Sequence, residues 1–448
     1  MICSGHSSNV SKSDGPAGPP TPVELGEAAG DTEPSLRAVL ASKRFRAMYV
    51  GSTVASLATW FRMVVVVAWA YDATDSATFV GQITFATLCP VLLFGVVGGV
   101  LADRVDRRKL LLWLLTVQAL ICSAFAVVVR ADTPNHVLVL ALSFALGTCT
   151  AGQQPAYMAI LPNLVGRAQL PAAISLQSVQ TNATRIIGPV LAGVMFAAWG
   201  PVWVLLASGL SLVVSVFAVL RVEIQPRQSF RSESVRKSLA TTAYVARTDP
   251  VVRRSLIVIT LFSSVSLLFV NQMPVVASEN LGVALRSTTY AIFYGSFGVG
   301  AVLGSLASGT VLLRLGSTAI VRWGLVGFGV TLVWLALARQ PVVGIAAALF
   351  VGMTYMVMST SLTTAFQVRL HDGNRGQLSA IWQMGYVGAV AISNLALGPV
   401  VDVLHIAPVM VGGALMALML APYADLRTAQ PVLIWTDRTV GASVSDGT

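Results

Sequence analysis

Apolar runs of roughly twenty residues recur along this chain, and twenty residues of α-helix match the hydrocarbon thickness of a bilayer. Read at that length, the sequence predicts twelve spans: 45–71, 79–101, 109–130, 137–161, 172–198, 202–221, 255–278, 288–312, 320–338, 342–366, 379–403 and 407–425. Lipid offers no partner to a free backbone N–H or C=O, so each run is expected to be helical. The composition agrees: 55% of residues are apolar and 11% charged, against about a quarter charged in soluble domains. The fold class that follows is an all-α integral membrane protein with twelve transmembrane helices.

Charge then orients the spans. With both termini placed in the cytoplasm, the inside segments carry 24 of the 29 Lys and Arg. The outside loops carry Arg130, Arg286 and Arg339, and the remaining two, Arg62 and Arg185, fall within spans. A bias of that size satisfies the positive-inside rule. It also makes the formal charge of +10 a consequence of topology, with no nucleic-acid-binding motif behind it.

The predicted organisation is a disordered cytoplasmic tail at 1–35, a six-helix bundle at 36–221, a cytoplasmic basic linker at 222–254, a second six-helix bundle at 255–425 and a cytoplasmic tail at 426–448. The first tail is rich in Ser, Gly, Pro and acids and lacks the apolar core of a signal peptide. The inside segment from Arg221 to Arg254 holds eight basic residues, and 234–247 is expected as an amphipathic helix on the inner membrane surface.

The two halves align at an offset of 210 residues. Gly99, Leu101 and Arg104 fall on Gly309, Val311 and Arg314, and Gly188-Pro189 falls on Gly398-Pro399. Two such matches in equivalent spans predict a parallel repeat of two pseudo-symmetric bundles, with a midplane site between them.

A short charged loop runs from Gly99 to Lys109, Gly-Val-Leu-Ala-Asp-Arg-Val-Asp-Arg-Arg-Lys. It resembles the loop between the second and third helices of the major facilitator superfamily, G-x-x-x-D-R-x-G-R-R/K. Further pieces resemble the branch containing the enterobactin exporter and macrolide-efflux proteins. They are Thr74-Asp75-Ser76-Ala77, Pro155-Ala156, Leu161-Pro162 and Asn182-x-x-Arg185-Ile186-x-Gly188-Pro189-x-x-Ala192-Gly193. In the second half Asn374-Arg375-Gly376 and Trp382-Gln383-Met384 match as well.

The resemblance implies a multi-pass transporter of the bacterial inner membrane, monomeric, exporting a siderophore or drug-like small molecule by alternating access with proton antiport. It implies a gating motif of Gly99, Asp103, Arg104, Arg107, Arg108 and Arg375, in which Asp103 holds the inner gate shut against the start of the eleventh span. It also implies close packing at Gly188, Pro189, Gly193, Gly398 and Pro399. Three positions depart from the branch: Thr59 stands where an acid commonly precedes the first-span Trp, the fourth span is neutral from Ser143 to Gly147, and Thr184 replaces a glycine. These departures leave the proton carrier unassigned. Import of a small anionic metabolite and a nontransporting receptor on the same fold remain as alternatives.

Substrate-cavity candidates are Arg62, Gln153, Gln177, Asn182, Arg185, Asn271, Tyr294 and Gln383. A span arginine is costly unless it faces a partner or a wet cavity. No Asp or Glu falls mid-span; Asp72, Asp75, Glu279 and Asp402 all lie at outer ends. Two arginines without a buried acid predict anionic or neutral cargo. His6, His136, His371 and His405 are scattered, the four cysteines form no ligand spacing, and no phosphate-binding Gly-x-x-x-x-Gly-Lys loop occurs. Neither an enzyme, a metal site nor a cofactor is therefore expected.

Overall fold

The computed structural model describes residues 36–104, 106–131, 135–165, 169–222, 248–315, 317–370 and 375–426. The expected tails, the amphipathic segment at 234–247 and Asn374 lie outside these residues.

The described chain is helical throughout. A short α1 (Leu36–Ala41) leads into α2 (Lys43–Thr74), α3 (Ala77–Arg104), α4 (Arg107–Val128), α5 (His136–Leu164) and α6 (Leu170–Leu220). After the linker come α7 (Pro250–Leu261), α8 (Thr288–Leu315), α9 (Ser317–Leu337), α10 (Pro341–Val368), α11 (Arg375–Leu404) and α12 (Ile406–Tyr423). Ten of these helices are long and apolar enough to cross a bilayer.

Short polar residues start the helices where the sequence turns. Ser42 accepts from the Phe45 amide, Asn135 from that of Leu138, and Asp106 from those of Arg108 and Lys109. Asp249 accepts from the amides of Val251 and Val252, just before Pro250 enters at the first helical position. At its far end α2 closes on Asp75, in the left-handed region at φ 49° with its amide bonded to the Tyr71 carbonyl.

Two elements depart from simple rods. The break expected between 198 and 202 lies at Gly200, whose φ of 79° and ψ of 176° interrupt α6. No atom stands near a would-be Cβ there, so it is the dihedral that requires glycine. The span expected at 255–278 is not one continuous α-helix. After Leu261 it passes through a π turn at Phe262–Ser266, short α-helical pieces at Leu268–Asn271 and Met273–Val275, and a second π turn at Val276–Asn280. Pro274 removes a backbone donor inside it, and π turns of this kind are frequent at functional sites.

Helices α2 to α6 pack mainly among themselves, through α2 on α6, α3 on α5 and α4 on both α5 and α6. Beyond the linker α8 lies on α10, and α9 on α10 and α12. Two seams join these groups: α3 runs against α11, and α6 against α8. At the first seam Gly81 is required by space, because a Cβ there would run into the carbonyl of Asn394. At the second, a Cβ on Gly193 would sit 3.1 Å from the Cα of Ala291. Gly398 meets the Thr78 backbone in the same way, so backbones, not side chains, set the distance between the groups.

Candidate functional site

The main cavity, of about 250 Å³, lies where the two seams converge. From the first group α2 contributes Trp60 and Met63, α3 contributes Leu88, and α6 contributes Arg185 and Pro189. From the second come Val270 and Asn271 of the interrupted segment, with residues of α8, α10 and α11. Most of this lining is apolar.

Its polar groups are few. Arg185 is exposed and has no hydrogen-bond partner among the described residues. Far from it in sequence, the hydroxyls of Tyr355 on α10 and Tyr386 on α11 bond each other at 3.0 Å. The Tyr355 ring stacks between Phe262 and Phe297, at centroid distances of 6.3 and 6.2 Å, which fixes the hydroxyl toward the cavity. Gly188 lets this end of α6 close on α2, since a Cβ there would crowd the Trp60 side chain.

A side chamber of about 120 Å³ opens beside the main cavity and shares Met63, Leu88 and Asn271 with it. Arg62 lies on its wall and is only 5% exposed. One guanidinium nitrogen, Nη2, donates to the Thr150 hydroxyl at 3.0 Å. The other, Nη1, is fully buried and has no partner among the described residues. Hydroxyls of Thr59, Thr84, Thr87 and Ser143 complete the polar lining, and no carboxylate faces it among the described residues.

At the end of the molecule where α3 begins, acids reach across between the two groups of helices. Asp402, in the last turn of α11, accepts from the backbone amides of Ala77 (2.6 Å) and Thr78 (3.0 Å) and from the Ser76 and Thr78 hydroxyls. It is an N-cap supplied by another helix. Glu279 accepts from the Tyr71 hydroxyl at 3.4 Å and from the Ile406 amide at 3.0 Å, with His405 Nδ1 3.5 Å away. Arg286 pairs with Asp72 at 3.1 Å on the surface, and Gln272 donates to the Ala77 carbonyl at 3.1 Å.

The residues singled out from sequence fall in different places. Arg185, Asn271 and Tyr294 line the main cavity, and Arg62 and Asn271 the side chamber. Gln153 instead accepts from Gln118 at 2.8 Å, and Gln177 donates to Gln180, which binds the Ser52 carbonyl and the Ser56 hydroxyl. Neither glutamine lines either of these two cavities, and exposed Gln383 does not either. Arg108 donates to the carbonyls of Val219 and Leu220, closing the end of α6; Arg107 opens α4. The side chains of Asp103, Arg104, Asn182 and Arg375, and the surroundings of Gly99, lie outside the description. Pro189 lines the main cavity, and Pro399 lies inside α11 one residue beyond Gly398.

Thr150, Thr84 and Thr87 carry the chamber and are absent from the sequence candidates. The signal that could have found them is spacing: Ser143, Leu146 and Thr150 share a helical face, as do Thr84, Thr87 and Val91.

The profile of a family described as transmembrane secretion effector matches residues 35–439. A staphyloferrin A transporter of Staphylococcus aureus is 23% identical over 332 residues, covering 74% of this chain and 83% of the relative. An enterobactin exporter, EntS, of Citrobacter koseri is 23% identical over 381 residues, covering 82% and 85%. Among solved structures, the nucleoside transporter NupG superposes with a TM-score of 0.67 at 10% identity, covering 87% of this chain and 100% of that one. A bacterial homologue of the iron transporter ferroportin in an inward-facing state gives 0.64 at 19%, covering 85% and 98%.

Proposed function

This chain belongs to the transmembrane secretion effector family of the major facilitator superfamily, a family of membrane transporters, and on that premise we propose that it exports small siderophore-like or drug-like molecules by alternating access. The observation that carries the reading is the main cavity, enclosed by residues from both sides of the linker, in a molecule whose α3 and α11 are tied at one end by Asp402. Siderophore transport by the named relatives supports the cargo class.

The reading includes twelve membrane crossings in two six-helix bundles, 36–221 and 255–425. Ten long apolar helices support it, with α6 crossing twice about Gly200 and Pro250–Asn280 crossing once in pieces. The positive-inside bias puts both termini and the basic loops in the cytoplasm, which makes the Asp402 end external. The proposed state therefore faces inward, in a multi-pass monomer of the cytoplasmic membrane.

A reciprocal device moves the gate. α3 and α11 run in opposite directions along their seam, and each carries an aspartate in its last turn, Asp103 and Asp402. A carboxylate at a helix C-terminus opposes the dipole and gains by capping another helix's N-terminus. Asp402 caps α3 at one end. Asp103 is proposed to cap α11 near Arg375 at the other, when the cavity opens outward. Proton antiport is the proposed drive, with its carrier unassigned.

Transport in inverted membrane vesicles tests direction, drive and charge preference together. Accumulation of acidic or neutral compounds that collapses with the pH gradient is expected. Uptake confined to right-side-out vesicles would instead make the chain an importer, and accumulation of lipophilic cations alone would refute the charge argument.

A further inference from the structure

We propose that the Arg62 side chamber is a carboxylate subsite, which receives the acid group of a substrate whose apolar body occupies the main cavity. The proposal rests on reading that cavity as the transport site. Arg62 is 5% exposed, and its Nη1 is buried without a partner among the described residues. A permanently charged donor left unsatisfied in an apolar interior is costly, and a carboxylate is the group whose geometry answers a guanidinium.

The rest of the lining favours the same ligand. Thr84, Thr87, Ser143 and Thr150 each donate to a carbonyl of their own helix. A hydroxyl rotates about one bond, so each can turn its proton to an incoming anion. Thr150 already accepts from Nη2, which holds the guanidinium plane still and leaves Nη1 for the ligand. A cation meets the guanidinium charge with no carboxylate on the described wall to offset it.

Size sets what enters. A chamber of about 120 Å³ holds roughly four waters' worth of volume, enough for a carboxyl group and its neighbouring carbons. Met63, Leu88 and Asn271 line both spaces, so a molecule can lie across their junction with its acid beside Arg62 and its body against the aromatic wall of Tyr355 and Phe297.

The test is equilibrium binding to the purified full-length chain in lipid nanodiscs, comparing labelled 4-phenylbutyrate with its neutral amide and with acetate. The acid should bind at least tenfold more tightly than the amide, the loss expected when a charge-assisted hydrogen bond goes unmade. Arg62→Gln should bring that ratio to about one, while Arg62→Lys keeps a preference for the acid. Thr87→Glu, which tethers a carboxylate inside the chamber, should abolish the preference in a protein whose Arg62 is now paired. This variant serves even if Arg62→Gln fails to fold.

Equal binding of acid and amide by the unmodified chain, an unchanged ratio in Thr87→Glu, or no saturable binding of any anion overturns the proposal. Acetate binding as tightly as 4-phenylbutyrate also overturns it, since the site would then serve a free anion. An absence of vesicle transport with the acid preference intact would sink the export reading and leave the subsite standing. Retained transport without the preference would do the reverse.

Discussion

Asp402→Ala is expected to slow transport by up to about thirtyfold, while Asp72→Ala changes it less than twofold. Both acids lie at the same end of the molecule, and both are bonded across the seam. The difference is in what they hold. Asp402 satisfies two backbone amides at the start of α3 as well as two hydroxyls, and losing such a cap costs about 2 kcal/mol. That shifts a two-state equilibrium by about thirtyfold. Asp72 only pairs with Arg286 in water, where the side chains are 35% and 56% exposed, and such a pair is worth at most about 1 kcal/mol. The check is initial uptake rate in inverted vesicles at matched protein levels. Equal losses in the two variants would show that the cap has no special part in closure.

Gly81→Leu abolishes transport, and Gly81→Ala already reduces it at least tenfold while leaving the protein in the membrane. Alanine is the sharper case, because in an isolated helix it is the better residue by about 1 kcal/mol. Here its Cβ collides with the Asn394 carbonyl, a backbone atom that cannot turn aside, and overpacking costs about 1–3 kcal/mol. α3 and α11 must then separate, the Asp402 cap is pulled from Ala77 and Thr78, and this end cannot close. Gly412 is the control: a Cβ there meets nothing within 4 Å, and Gly412→Ala should transport normally. Normal rates in Gly81→Ala, measured in the same vesicles, would show that the seam has slack.

Most of the helical framework is legible in the sequence, because a bilayer imposes both the length and the apolarity of each run. α2 to α5 and α8 to α12 match the expected spans to within a few residues. The break in α6 is marked by Gly200-Pro201. The interruption after Leu261 is not, since a π turn has no residue signature and Pro274 announces a bend but not its form.

The site is harder to read, for a physical reason. Spacing along one helix tells which residues share a face, not which helix lies opposite. Arg62 and Arg185 are expected in one cavity and occupy two adjoining spaces, because Thr150 draws Arg62 toward α5. Gln153 and Gln177 satisfy other side chains instead. Asp402 is recognisable as an acid at a span end, but the amides it caps lie about 325 residues away in sequence. The inner half of the reciprocal gate, at Asp103 and Arg375, rests on motif and on the mirrored position of Asp402.

The central claim is that one cavity opens to the two sides of the membrane in turn, and that Asp402 holds its outer door. Cysteine accessibility tests this most directly: Met63→Cys, in a chain otherwise freed of cysteine, treated with a membrane-impermeant maleimide in sealed vesicles of each orientation. Met63 lines both the main cavity and the side chamber. The account predicts labelling mainly from the cytoplasmic side, and outside labelling that rises by about an order of magnitude when Asp402→Ala is added. Labelling from the outside that is already complete in the parent, or that ignores Asp402→Ala, would contradict it.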